Sequence, residues 1–511
     1  MFRIRAAECC HCRRGLVILL CNTAQSNDTM NTLSSKDRLL GMIRQGAPMT
    51  LGQQARLVGS LSVPAVLAQL TTTMMQYIDA SMVGSLGAEA SASIGLVETT
   101  TWLLGSLCSA AATGFYVQVS HQLGASRGDK ARSIVRQGIV SVLVASAVVG
   151  LVALSLSPVL PGWLGGTEGV CGPASAYLAT IAVGLPAFQF SIFGYGMLRS
   201  SGDMVTPGVM SVAMMALNVV FNFFLIFPSR TVSLAGVEMW VPGAGLAVEG
   251  AALATVMAEL TTAIVTMYLL CCRNGELNLR QDSGSFRPTR RVVAKAVGIG
   301  MPAGLQQVAM TSAYIATTAM IAPLGTVALA ANSFAIIVES LCYMPGYGIG
   351  DAATTLAGQS LGAGRLGLAK RFAWICVATG MAVMAATAAI MYAFAPDVLA
   401  VMTPVDDIRQ QGTEVLRIEA FAEPLYAAAI VGGGIFAGLG RTIVPCAINL
   451  ASIWGVRIVL IALLTPSMGL RGAWLAMCIE LCFRGCVFLA GLAMLRWRGG
   501  KNNDKQATKQ A

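Results

Sequence analysis

Eight acidic residues lie inside long apolar stretches of this 511-residue chain, at least three residues from either end of the stretch. An ionised side chain at the centre of a lipid bilayer costs about 2.5–3.5 kcal/mol on insertion scales, so a carboxyl group kept there needs a reason. It can bind a proton or a cation, or it can pair with a buried base. The eight residues are Asp79, Glu98, Glu259, Glu339, Asp351, Glu419, Glu423 and Glu480.

Asp79 is the leading candidate for cation or proton coupling. It lies in the outer half of the first predicted span, and Glu98 lies at a similar depth in the second. Asn218 and Asn222 are spaced i, i+4 on the fifth span, so both face one side of that helix. We expect these four side chains to converge. A carboxylate flanked by carbonyl oxygens can bind Na⁺ or hold a proton.

Several other residues are candidates for a substrate cavity. Glu339 and Glu423 would bind substrate or protons, or else they are buried acids with ordinary hydrogen bonds. The remaining cavity candidates are Gln76, Tyr77, Tyr426 and Met310.

Three charged residues near the C-terminus predict a structural cluster instead. Glu480 and Arg484 are spaced i, i+4 on the last span, and Arg457 lies within the preceding one. A buried Arg–Glu–Arg group would satisfy all three charges. Pro64 has two interpretations, an ordinary helix kink or a hinge whose bending repositions Asp79.

The composition requires a membrane around these residues. Charged residues make up 11% of the chain and hydrophobic residues 55%, whereas a soluble domain carries roughly 25% charged residues. Mean hydropathy is +0.69. Stretches long enough to cross a ~30 Å hydrocarbon core lie at 57–82, 93–118, 134–158, 174–197, 204–228, 247–271, 294–322, 331–357, 372–395, 413–436, 443–466 and 470–495.

The basic residues orient these twelve spans. Of 34 Lys and Arg residues, 28 fall in alternate loops and the two tails. This distribution follows the positive-inside rule and predicts a multi-pass membrane protein with both termini in the cytoplasm. The basic residues would meet anionic lipid, and a nucleic-acid partner is not expected.

The cysteines predict neither disulfides nor a structural metal. Only Cys171 falls in an outer loop, and the group Cys9, Cys10, His11 and Cys12 lacks further ligands at zinc spacing. Residues 1–29 are predicted to be a disordered tail, or a segment preceding a true start at Met30.

An internal repeat divides the chain into two halves. Pro64 and Pro302 are 238 residues apart, and the same separation relates Gln69 to Gln307 and Gly202 to Gly440. Each copy has an even number of spans, so both copies enter the membrane from the same side, as in transporters with parallel repeats. The predicted domains are a tail (1–50), an N-lobe (51–275), a linker (276–293), a C-lobe (294–497) and a second tail (498–511).

Several motifs, duplicated and in order, resemble the multidrug and toxic compound extrusion (MATE) family of cation-coupled efflux proteins. The similarity covers roughly residues 50–497. The motifs are Pro64 fifteen residues before Asp79, Gln122-Leu123-Gly124-Ala125, Leu198 to Asp203 with Thr206-Pro207, Met344-Pro345-Gly346, and Gly358 to Ala363.

The resemblance implies two six-helix lobes forming a V around a central cavity. It also implies that Asp79 is a principal coupling acid and that Asn218 and Asn222 help to form a cation site. The second lobe departs from the pattern, because Thr317 stands at the repeat position of Asp79 and Met310 stands where sodium-coupled members carry an acid.

The resulting prediction is an antiporter that exports amphipathic, cationic organic compounds in exchange for H⁺ or Na⁺ by alternating access. It would be a monomer without cofactors, with Na⁺ binding possible at Asp79. Two alternatives stay open, a flippase for lipid-linked saccharides and an intramembrane enzyme. A flippase favours a basic cavity, and an enzyme needs a nucleophile–base pair that the sequence does not display.

Overall fold

The computed structural model describes residues 35–234, 237–495 and 497. The predictions for residues 1–29 and for the tail at 498–511 lie outside the described residues.

The first half of the described chain contains eight helices and one β-hairpin. The elements are α1 (Ser35–Arg44), α2 (Leu51–Gly84), α3 (Ala88–Gly124), α4 (Gly128–Leu156), α5 (Leu160–Trp163), α6 (Glu168–Ser201), α7 (Val205–Leu225), β1 (Pro228–Leu234), β2 (Val237–Ala244) and α8 (Ala247–Tyr268). A π-helical turn at Leu269–Arg273 extends α8.

The second half repeats this arrangement without the hairpin, as far as the described residues show. Its helices are α9 (Arg290–Ile321), α10 (Thr326–Gly362), α11 (Leu366–Met402), α12 (Asp406–Glu419), α13 (Glu423–Gly438), α14 (Ile443–Ser452), α15 (Ile458–Met468) and α16 (Leu470–Met494). A π-helical turn at Ile453–Arg457 joins α14 to α15.

The twelve predicted spans correspond to these long helices. Among the described residues, ten helices pass a length and hydropathy test for crossing a membrane, and α12 with α13 forms an eleventh, bent span. The remaining predicted span, 294–322, corresponds to helix α9, which is 32 residues long.

The tenth span differs from its prediction as one continuous helix over 413–436. Its two parts meet at 60° across a break at residues 420–422. Pro424 lies in the first turn of α13. Because proline has no N–H and its ring clashes with the preceding turn, it begins a helix well and does not continue one.

The segment around Arg230 to Pro242, between the predicted spans 204–228 and 247–271, forms a hairpin. Strands β1 and β2 pair in antiparallel register, with Thr231 opposite Trp240. Arg230 lies over the ring of Phe227, 4.0 Å from its centroid.

The repeat is visible in the backbone. Gly87 and Gly325, 238 residues apart in the sequence, have φ of +116° and +100° and stand directly before α3 and α10. Glycine adopts this left-handed conformation without steric cost, which explains the residue type at both turns.

The two halves pack against each other at one end of the bundle. The loops at 125–127, 202–204, 363–365 and 439–442 lie there. They are on the side to which the distribution of basic residues assigns the cytoplasm, so we call this end the basic end. There a Cβ on Gly124 would stand 2.1 Å from the carbonyl oxygen of Gln359, and a Cβ on Gly362 would stand 2.0 Å from that of His121. The backbones of α3 and α10 therefore touch, as only glycine permits.

Candidate cation-binding site

Three helices bring the first-lobe candidates together. Helix α2 runs from the basic end to the opposite end, while α7 and α8 pack beside it. Gly208 on α7 lets that helix approach α2, because a Cβ there would lie 3.2 Å from the carbonyl oxygen of Pro64. Met75, Met214 and Ala258, one from each helix, form a buried apolar cluster. This packing fixes the three helices around the polar residues.

A chain of hydrogen bonds links Asp79 to α7 and α8. The amide nitrogen of Asn222 donates to Asp79 Oδ1 at 2.6 Å and to Asn218 Oδ1 at 2.9 Å. The amide nitrogen of Asn218 then donates to Thr255 Oγ1 at 3.1 Å. The structure therefore brings together three of the four predicted coupling residues and adds Thr255.

The two amides of this hydrogen-bonded chain are fully buried, and it contains a single ionisable group. Asn218 and Asn222 are both 0% exposed, and Asn222 Oδ1 has no hydrogen-bond partner among the described residues. Asp79, which is half-buried, supplies the one carboxyl group of this hydrogen-bonded chain. Carboxylate, amide and hydroxyl oxygens are ligands that hard cations prefer, and the carboxyl group alone can bind a proton.

Glu98 lies outside this group. Its side chain is exposed and has no hydrogen-bond partner in the part of the chain that the structure describes, while its backbone carbonyl accepts a bond from Thr101. The structure thus does not bring Glu98 into contact with Asp79 through the described hydrogen bonds.

Thr255 is the member of the site that the sequence analysis did not single out. One signal was available. Thr255, Glu259, Thr262 and Thr266 follow i, i+4, i+7 and i+11 along an otherwise apolar helix, the spacing of one helix face.

Three acids of the second lobe are buried near one another. Glu339 is 6% exposed, and Glu419 and Glu423 are both 0% exposed. None of the four side-chain oxygens of Glu419 and Glu423 has a hydrogen-bond partner among the described residues. Glu419 ends α12 and Glu423 begins α13, so the break in the tenth span carries both.

The other cavity candidates are distributed over several environments. Gln76 is exposed and Met310 is half-buried, with Gln306 Nε2 at 3.8 Å from the Met310 sulfur. Tyr426 is buried, and its ring centroid lies 5.7 Å from that of Tyr343. Tyr77 connects the lobes, because its hydroxyl lies 2.6 Å from Ser340 Oγ.

The structure brings the predicted charged cluster together in the second lobe. Arg457 Nη2 lies 2.7 Å from Glu480 Oε2, and Arg484 Nε lies 3.0 Å from Glu480 Oε1. Ser452 donates to Glu480 Oε1 at 2.5 Å. Glu480 is 0% exposed, so two arginines and a hydroxyl compensate its burial.

Pro64 lies inside α2, which is helical over all of Leu51–Gly84. Thr50 and Gln53 form a capping box at the start of that helix. The role of Pro64 as a hinge stays a prediction.

The linker between the lobes is held to α4 by charge. Arg132 Nε lies 2.9 Å from Asp282 Oδ2, and Arg136 bonds both the side chain and the backbone carbonyl of Asp282. Hydrogen bonds from Arg136 and then Arg132 lower the pKa of Asp282 below its ordinary value, since they stabilise the carboxylate.

A two-lobe helical bundle with a buried acid–amide site in its first lobe is the architecture of a secondary transporter. The MatE family profile matches residues 64–224 and 302–463, one segment in each half of the repeat. The chain therefore belongs to the MATE family of membrane transporters.

Curated relatives cover nearly all of the chain. "Probable multidrug resistance protein NorM" of Thermotoga maritima is 25% identical over 445 residues, covering 86% of this chain and 92% of the relative. "Multidrug resistance protein NorM" of Burkholderia vietnamiensis is 26% identical over 478 residues, covering 88% and 95%.

Solved structures share the fold. A crystal structure of MATE in complex with MaL6 matches with a TM-score of 0.79 at 19% identity, covering 89% of this chain and 97% of that one. A multidrug resistance MATE family transporter in an outward-facing conformation matches with a TM-score of 0.78 and the same coverage. The predicted fold class, twelve membrane helices in two lobes, is confirmed.

Proposed function

We propose that the protein is a secondary antiporter that exports amphipathic, cationic organic compounds in exchange for H⁺ or Na⁺. It works in the inner membrane of a bacterial cell, with both termini in the cytoplasm. The two lobes alternate between states open at the basic end and at the opposite end.

One observation carries the proposal, the chain of hydrogen bonds that runs from the carboxyl group of Asp79 through Asn222 and Asn218 to Thr255. A single carboxylate among neutral oxygens can neutralise one positive charge at a time. A proton or Na⁺ therefore competes with a cationic substrate for it, and this competition is the basis of exchange. Each inward charge is driven by about 2.3 kcal/mol per 100 mV of membrane potential, so one coupled cation supports a useful gradient.

Two observations support the proposed substrate class, the names of the curated relatives and the negative charge that buried acids can carry in the second lobe. Curated relatives are named multidrug resistance proteins, and the buried acids Glu339, Glu419 and Glu423 make the second lobe favourable for a cation. A flippase for lipid-linked saccharides would need positive charge for its anionic cargo. Buried acids oppose that cargo, so the flippase is the weaker proposal.

The direct test uses purified protein in proteoliposomes with a fluorescent organic cation inside. H⁺ and Na⁺ gradients are imposed separately, and efflux is measured for the wild type and for Asp79→Asn. The isosteric amide preserves hydrogen bonding and removes the charge. We expect Asp79→Asn to lose gradient-driven efflux while its melting temperature changes little.

Glu249→Gln is the matched control. Glu249 is an exposed acid in the first turn of α8, in the same lobe, so the same acid-to-amide change should leave efflux unaltered. Normal gradient-driven efflux by Asp79→Asn would refute the proposal. Which of the two gradients drives the wild type identifies the coupling ion.

A further inference from the structure

Glu259 is a buried acid of the first lobe with no role in the site described above. It lies near the middle of the apolar span Ala247–Arg273 and is 8% exposed. Its Oε2 has no hydrogen-bond partner among the described residues. An ionised carboxylate at this depth without a positive partner is costly, so a carboxyl group placed here calls for a bound proton or a positive partner.

Glu259 belongs to a polar face that starts at the Asp79 site. Thr255 accepts the hydrogen bond from Asn218, and Glu259 follows one helical turn later, about 6 Å closer to the basic end. Thr262 and Thr266 continue the same face and are 2% and 0% exposed. The hydroxyl of Thr266 has no partner among the described residues.

Helix α6 covers this face tightly. A Cβ on Gly184 would stand 2.3 Å from Val256 Cγ2, and a Cβ on Gly194 would stand 2.7 Å from Thr266 Cγ2. Between these glycines, Ser191 donates a hydrogen bond of 3.3 Å to the backbone carbonyl of Glu259. The close approach encloses Glu259 between the two helices and separates it from lipid.

The charged and titratable groups around Glu259 leave it without a counter-charge. Tyr195 of α6 faces it, with Thr262 and Thr266 beside that tyrosine. One turn further towards the basic end Arg199 is paired with Asp351. The other helices that pack beside α8 also carry titratable residues, among them Tyr77 and Asp79 within α2 and Glu98, Cys108, Tyr116 and His121 within α3, whereas α7 contains none.

From this arrangement we infer that Glu259 is a second proton-binding residue of the first lobe, which takes over the proton bound at Asp79 and releases it towards the basic end. The inference deepens the proposed function and depends on proton exchange at Asp79.

The proton count of such a cycle balances. When the basic end opens, the O–H bond of Glu259 breaks and its proton leaves along the face of Tyr195 and Thr266. The resulting carboxylate then accepts the proton of Asp79, so one O–H bond breaks at Asp79 and one forms at Glu259. One proton has entered the cytoplasm, Glu259 is protonated again, and Asp79 is free for a cationic substrate.

The test combines transport with infrared spectroscopy on Glu259→Gln. We expect this variant to bind an organic cation with wild-type affinity, to lose efflux driven by a pH gradient, and to lose one carbonyl band of a protonated carboxyl group at neutral pH. Glu249→Gln, on the same helix but exposed, should retain both the band and the efflux. Efflux with the wild-type ratio of protons to substrate in Glu259→Gln would overturn the inference.

A second variant keeps the inference testable if Glu259→Gln does not fold. Glu259→Asp keeps a carboxyl group in the same enclosure and should transport with a displaced pH profile, whereas a wild-type profile would count against the inference. The two proposals fail separately. If Asp79→Asn is uncoupled while Glu259→Gln is normal, only the role of Glu259 is wrong. If Asp79→Asn is normal, the proposed function is wrong whatever Glu259 does.

Discussion

Arg199 and Asp351 form an ion pair between the two lobes, with 2.6 Å between Arg199 Nη1 and Asp351 Oδ2. Arg199 lies in the last turn of α6 in the first lobe, and Asp351 lies on α10 in the second. Gln69 of α2 donates to the same carboxylate oxygen at 3.2 Å. The pair therefore joins three helices near the basic end and must break when that end opens.

Asp351→Asn should shift the protein towards the state that is open at the basic end. The side chains of Arg199 and Asp351 are 21% and 28% exposed, so solvent screens the pair in part. Removing a hydrogen bond to a charged group costs about 1.5–3 kcal/mol at most sites. Even half of that free energy would change the ratio of the two conformations severalfold. Electron-spin distances between labels at the exposed positions Lys130 and Lys370 measure that population. Asp406→Asn, which breaks the exposed Arg409–Asp406 pair, should leave the distances unchanged.

Gly362→Ala should prevent the basic end from closing. The added Cβ would stand 2.0 Å from the backbone carbonyl oxygen of His121, and a backbone atom cannot rotate away as a side chain can. Overpacking costs about 1–3 kcal/mol even where neighbours relax. We expect a longer distance between the same two labels and slower transport. Gly367→Ala, where a Cβ meets nothing within 4 Å, is the control, and equal behaviour of the two variants would contradict the steric account.

Thr255→Val should weaken cation coupling without unfolding the protein. Valine has nearly the same shape but cannot accept the hydrogen bond that orients Asn218. Loss of such an outer partner typically costs about 10–100-fold in metal affinity or activity. The measurement is the dependence of efflux on external Na⁺ and on pH, with Thr255→Ser expected to retain most of the wild-type response. Wild-type behaviour of Thr255→Val would remove that residue from the site.

The first-lobe site could be predicted in part because helix periodicity decides which residues of one helix share a face. Asn218 and Asn222 were placed together on that basis, and depth in the membrane placed Asp79 beside them. Periodicity does not say which face of one helix meets which face of another. Thr255 was therefore missed, and the absence of Glu98 from the hydrogen-bonded chain of Asp79 was not foreseen.

Elements whose shape depends on local backbone chemistry were harder to predict. The apolar run at 413–436 contains a break at residues 420–422 that hydropathy alone does not show, although Pro424 marked its position. The hairpin of β1 and β2 lies between the predicted spans 204–228 and 247–271, in a segment for which the hydropathy pattern predicted no element. In both cases the lengths of the apolar stretches predicted where the spans lie, but they did not predict the path of the backbone.

Glu480→Gln should destabilise the second lobe strongly. The change would leave the buried Arg484 and the partly buried Arg457 beside an uncharged amide, and breaking a buried pair by removing one partner costs about 3–5 kcal/mol. A lower melting temperature in detergent measures this loss. Glu414→Gln removes the partner of the half-exposed Arg471 and should cost about 0–1 kcal/mol. Equal melting temperatures for the two variants would show that the buried cluster contributes little.

Asp282 provides a prediction about pH. Its pKa is lowered in the folded protein by Arg136 and Arg132, so the stabilisation it contributes is present above the ordinary carboxyl pKa of about 3.9 and is lost only as the pH falls through the lower folded value. Hydrogen exchange of linker residues 276–293, corrected for the intrinsic rate, should therefore stay constant between about pH 5 and pH 8. Asp282→Asn should raise that exchange at every pH in this range, because Arg136 and Arg132 lose the carboxylate. Asp129→Asn is the matched control, since Asp129 is 88% exposed and pairs with the same Arg132. Exchange that changes across this range in the wild type would show that another group holds the linker.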